Sequence, residues 1–172
     1  MQHSTALPIA WIVLRILIVI NWLSGLAILS LLTATIVAED WTFTALGITE
    51  GSGIPAMIMG LRAVAALGLA TIPLNHVLLK RLLAIVGTVR AGDPFVAANA
   101  YRLQTIAWVL LALQLLSIVI GAIGKSVSSP AHPVNLDAGF SINGWLAVLL
   151  TFLLARVFAE GARMRDDLAG TV

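Results

Sequence analysis

Four apolar runs, each long enough to cross a bilayer as a helix, constrain this chain more than any other feature of its sequence. They cover residues 8–38, 54–79, 94–123 and 141–158. A crossing helix needs about 20 predominantly apolar residues, with a range of about 17–25. Composition agrees with the runs. Of 172 residues, 60% are hydrophobic and only 10% are charged, and the mean hydropathy is +1.03. A soluble domain carries about 25% charged residues, so this chain has too few to cover a water-facing surface. The expected fold is all-α: an integral membrane four-helix bundle forming a single transmembrane domain over residues 1–172.

Local signals place the ends of these spans. The first run exceeds the 7–15 apolar residues of a signal peptide core and lacks a basic start or an A-x-A site, so it reads as an uncleaved anchor. The second begins near Ile54, and Pro73 is expected to kink it or to end its regular part. Before the third stands Gly92-Asp93-Pro94, where Asp93 suits an N-cap and Pro94 a first helical position; Gly124 is expected to stop that helix. The fourth starts near Ser141. Between the second and third spans, residues 75–90 read as an amphipathic helix. His76, Lys80, Ala84 and Gly87 share one face, flanked by Arg81 and Thr88, and leucines and valines form the other. Such a helix serves either as a linker at anionic headgroups or as a platform for a cytosolic partner.

Charge placement predicts orientation. Lys80, Arg81, Arg90 and Arg102 flank the middle connection, Arg156, Arg163 and Arg165 lie near the C-terminus, and Arg15 lies near the N-terminus. The opposite side holds Glu39, Asp40, Glu50 and Asp137, with Lys125 as its clear cation. The positive-inside rule then puts both termini and the middle connection in the cytoplasm. Trp11 falls at the inner interface, and Trp41 and Trp145 at the outer one.

Few polar residues lie inside the spans, and each asks for an explanation. Arg62 either reaches outward to Glu39, Asp40 or Glu50, or faces a polar cavity and an anion. Its nearest expected intramembrane companions are Asn21 and Ser24, which share a face with Gly25. Ala56, Gly60, Ala63 and Ala70 form a stripe that lets another helix approach closely. Gln114 and Ser117 stand one turn apart in the third span and suit interhelical hydrogen bonds. Arg156, Glu160, Arg163 and Asp167 form a ladder of alternating charge on one face, expected to extend the fourth helix into water. The chain has no Cys, which excludes thiol chemistry, and its three histidines, His3, His76 and His132, fall outside the apolar parts of the expected spans, His76 on the amphipathic segment 75–90. No catalytic, cofactor-binding or metal-binding constellation is visible. Direct contact with nucleic acid is not expected.

Two stretches resemble motifs of a bacterial membrane family. Arg90-Ala91-Gly92-Asp93-Pro94-Phe95-Val96, followed by Asn99, Arg102-Leu103 and Ile106-Ala107, is similar to the central motif of the family catalogued as domain of unknown function 2975. Phe152, Leu154-Ala155, Val157-Phe158, Gly161, Asp166-Asp167-Leu168 and Thr171-Val172 resemble its closing motif, with Gly170 where the family has Leu. The resemblance implies a small four-span protein of the bacterial inner membrane, with no assigned reaction and, in many members, a helix-turn-helix regulator encoded alongside. The leading expectation is a non-catalytic sensory or regulator-binding protein. Its contact surface would comprise Lys80, Arg81, Arg90, Asp93, Asn99, Arg102 and the ladder. Anionic lipid, that cytosolic regulator and a second copy of the chain are the expected partners. A small transporter or channel using Arg62 is the second reading, and a membrane enzyme or cofactor carrier the third.

Overall fold

The computed structural model describes residues 6–38, 41, 44, 54–128 and 137–169. Within them lie four long helices: α1 (Ala6–Val37), α2 (Ile54–Arg90), α3 (Ala97–Val127) and α4 (Ile142–Ala169). All four are long and apolar enough to cross a membrane, and no strand occurs among the described residues. The pattern is that of a multi-pass membrane protein.

Burial in α1 is inverted relative to a water-soluble fold. The residues that α1 buries are Gly25 and Thr35, whereas Ile12, Trp22 and Leu26 are more than half exposed. Such a surface is unfavourable in water and costs nothing against lipid tails, which are as apolar as leucine. Hydroxyls inside the helices bond to their own backbone. Ser30 Oγ donates to the Leu26 carbonyl (2.8 Å), Thr33 Oγ1 to Leu29 (2.8 Å) and Thr151 Oγ1 to Ala147 (2.7 Å). A polar group satisfied within its own helix can face lipid without an unmet bond.

Several boundaries differ from the sequence-based expectation. Residues 75–90 are not a separate helix: α2 runs unbroken through Pro73 to Arg90, 37 residues in all. That is about 55 Å of helix, well beyond the roughly 30 Å of bilayer hydrocarbon. His76 lies within this continuous helix. Nor does α3 begin at Pro94: it starts at Ala97 and runs through Gly124 to Val127. Ser141 does cap α4, its Oγ accepting from the Gly144 N–H at 3.2 Å. The expected extension of α4 is present, to Ala169.

The chain divides into two compact units. The first takes Met1–Asn21, Leu74–Ala112 and Ser141–Val172. Its core is Leu103, Ile106 and Ala155, against which Leu78, Leu82, Ile85, Leu110 and Phe158 pack. Part of the apolar face of residues 75–90 is thus covered by protein. Trp108 meets Phe152 edge to face at 5.2 Å. The second unit takes Trp22–Pro73 and Leu113–Phe140. Small residues bring its elements together: Gly25 faces Ile72, and a Cβ on Gly60 would collide with a Val127 methyl. The small-residue stripe of α2 is therefore a contact with α3 at Gly60.

Candidate functional site

The first unit gathers most of the predicted contact residues at the α2–α3 turn. Gly92 closes α2 with φ +83°. The Gly92 N–H donates to the Val89 carbonyl (3.1 Å) and the Asp93 N–H to Thr88 (3.0 Å). These paired bonds are a Schellman cap, which requires the left-handed conformation that glycine adopts without steric cost. Gly92-Asp93 thus ends α2 and does not start α3. The Asp93 carboxylate, expected as an N-cap, instead accepts from Arg165 Nη1 on α4.

Asn99 is the hub of the turn. It is fully buried, at 0% exposure. Its Nδ2 donates to Thr88 Oγ1 (2.7 Å) and to the Pro94 carbonyl (2.8 Å). Its Oδ1 accepts from Arg102 Nη1 at 2.7 Å, and the same nitrogen lies 3.4 Å from the Ala84 carbonyl. Asn99 and Arg102, expected in the contact surface, thus form a cluster that points inward and ties α2, the turn and α3 together. Phe95 packs on Phe158 at 5.2 Å, and Gly161 makes room for its ring: a Cβ there would meet it at 3.0 Å. The two stretches that carry the family resemblance are thus in direct contact through Asp93–Arg165, Phe95–Phe158 and Leu103–Ala155.

The remaining charges in this unit are peripheral. Lys80 and Arg90 are exposed. Arg90 and Arg15 both lie over the Trp11 ring, at 5.6 Å and 3.8 Å, and Arg81 lies 5.7 Å from the Tyr101 ring. In the ladder, Arg163 and Glu160 form an exposed ion pair at 3.7 Å, Asp167 is exposed, and Arg156 lines a cavity between α3 and α4. Asn21 is partly buried.

In the second unit, Arg62 Nη2 donates to the Thr35 carbonyl. Thr35 is in the last turn of α1, where carbonyls lack an intrahelical donor and the helix dipole is negative. Arg62 therefore caps another helix. Ser24, an expected companion, is exposed and lies three turns back along α1, about 16 Å by helical rise. Glu39, Asp40 and Glu50, the expected outward partners, lie outside the described residues. Gln114 and Ser117 hold the segment before α4: Ser117 Oγ accepts from the Gly139 N–H (3.1 Å) and lies 3.3 Å from its carbonyl, which Gln114 Nε2 approaches at 3.5 Å. Gly121 lies under the same segment, where a Cβ would be 2.6 Å from the Ala138 carbonyl oxygen. Non-helical backbone packed on the middle of a membrane helix needs such partners.

Sequence reasoning missed Thr88, Arg165 and Thr35 as partners. Thr88 was visible as a polar residue beside the basic face of 75–90, and Arg165 as one of the C-terminal cations. The Thr35 carbonyl carries no side-chain signal. Among the described residues, no group of three His, Cys, Asp or Glu could hold a metal ion. The chain matches no family model, no curated protein and no solved structure.

Proposed function

We propose that this is a non-catalytic protein of the bacterial inner membrane that holds or signals to a cytosolic regulator of the helix-turn-helix type. Both termini and the α2–α3 turn face the cytoplasm in this reading, as the loop charges favour. The supporting observation is the convergence in the first unit. The two stretches resembling the domain of unknown function 2975 pack on each other, and exposed Lys80, Arg90, Glu160, Arg163 and Asp167 border them. The partner surface is the charged exterior of that unit, while Asn99 and Arg102 support it from inside. A transport path along Arg62 has less support, because its guanidinium is engaged at the end of α1; liposome flux abolished by Arg62→Leu would restore that reading.

The test is site-specific photo-crosslinking in living bacteria, with the probe at Lys80 or Arg163. One DNA-binding protein should be trapped from either position, and its yield should fall when Lys80, Arg81 and Arg90 are reversed to Glu. Unchanged yield in the reversed protein overturns the proposal.

A further inference from the structure

The cavity between α3 and α4 has a volume of about 320 Å³. Three alanines, Ala100, Ala155 and Ala159, line it, and Tyr101 and Phe152 form its walls. Small side chains on both helices leave a slot with an apolar floor. Its polar groups are Gln104 and Arg156. Neither makes a side-chain hydrogen bond or ion pair among the described residues. No carboxylate lines the slot; the nearest on α4, Glu160, pairs with Arg163. Arg81 adds a second positive charge, held over the Tyr101 ring.

Depth decides what can meet these groups. Arg156 lies five residues before Gly161, which packs under Phe95 of the α2–α3 turn. That spacing is about 8 Å of helix, comparable with the headgroup layer of one leaflet, roughly 5–8 Å thick. With the α2–α3 turn at the outer edge of the headgroups, Arg156 and Gln104 would sit where the headgroup layer meets the hydrocarbon. A guanidinium there, with five donors and no acceptor among the described residues, is suited to a phosphodiester. A choline or ethanolamine cation would find two arginines and no acid.

We propose that this slot is a binding site for one anionic glycerophospholipid. Its phosphate meets Arg156 and Gln104, and one acyl chain lies along Ala100, Ala155 and Ala159. Basic pockets between membrane helices take anionic headgroups in this way. The site needs only that the chain crosses a membrane; it is independent of any cytosolic regulator.

Native mass spectrometry of the full chain in mild detergent, with equal amounts of phosphatidylglycerol and phosphatidylcholine added, tests it. Phosphatidylglycerol should stay bound under activation that strips phosphatidylcholine. Arg156→Gln should weaken its retention roughly fivefold or more, the factor expected for one basic residue at a lipid surface. Ala159→Trp, which fills the slot without changing charge, should do the same, and Arg163→Gln should have no effect. Equal retention of the two lipids, or parental binding by Arg156→Gln, overturns the proposal. So does displacement by inorganic phosphate alone, which would mark a free-anion site. Arg156 is exposed, so its substitution leaves the fold intact and the test decisive.

Discussion

Asn99, fully buried, bonds three polar groups at the α2–α3 reversal: the Thr88 hydroxyl, the Pro94 carbonyl and one arm of Arg102. Deleting one partner of a buried bond costs more than the bond itself contributes, because the group left behind is desolvated. Asn99→Ala should therefore destabilise the protein by about 1–3 kcal/mol, read as a lowered thermal midpoint in detergent. Thr88→Val removes two bonds, the one accepted from Asn99 and the one donated to the Ile85 carbonyl, at about 0.5–1.5 kcal/mol each. If Asn99→Ala melts with the parent, the network contributes nothing to stability. The Asp93–Arg165 pair is a different case. It joins residues 72 positions apart, yet both side chains are more than a third exposed. Exposed pairs are worth about 0–1 kcal/mol, so it orients the end of α4 more than it stabilises the unit.

Helix ends and contacts depend on two glycines for different reasons. At Gly92 the requirement is conformational: φ is +83°, and nothing lies within 4 Å of a Cβ placed there. Gly92→Ala should therefore cost only the strain of a left-handed alanine, about 1–2 kcal/mol. At Gly121 the requirement is space. A methyl group would collide with the carbonyl of Ala138 and the Cα of Gly139, and backbone cannot step aside as a side-chain tip can. Gly121→Ala should thus displace residues 137–140 from α3 and free Ser117, with a larger loss of thermal stability than Gly92→Ala. Comparing the two melts checks this; equal losses would mean that the segment seats loosely on α3. Ser30, Thr33 and Thr151 show a third strategy at this scale, since each hydroxyl closes on its own helix and makes no demand on a neighbour.

For the whole chain, if each of the four apolar helices crosses, the two termini and the middle connection fall on one side of the membrane whatever the detail of packing. Which side is a matter of charge, and the cysteine-free sequence makes the measurement clean. A membrane-impermeant maleimide should label Lys125→Cys on intact cells, and Asp167→Cys only after permeabilisation; the reverse pattern would sink the cytoplasmic assignment of the termini. The sequence by itself determined the number of long helices, their apolar exterior, the start of α4 near Ser141, the extension of α4 and the presence of polar residues at the α2–α3 reversal. These follow from runs, caps and periodicities, which are local properties. Tertiary structure alone decided that residues 75–90 continue α2 and do not form a helix of their own. It alone assigned Asp93 to Arg165, Arg62 to the Thr35 carbonyl and Gln114 with Ser117 to Gly139. Those partners are 22–72 residues apart, and two of them are backbone groups. Any residue type can present a backbone carbonyl, so no pattern of letters marks it, and only the folded chain brings a donor within reach.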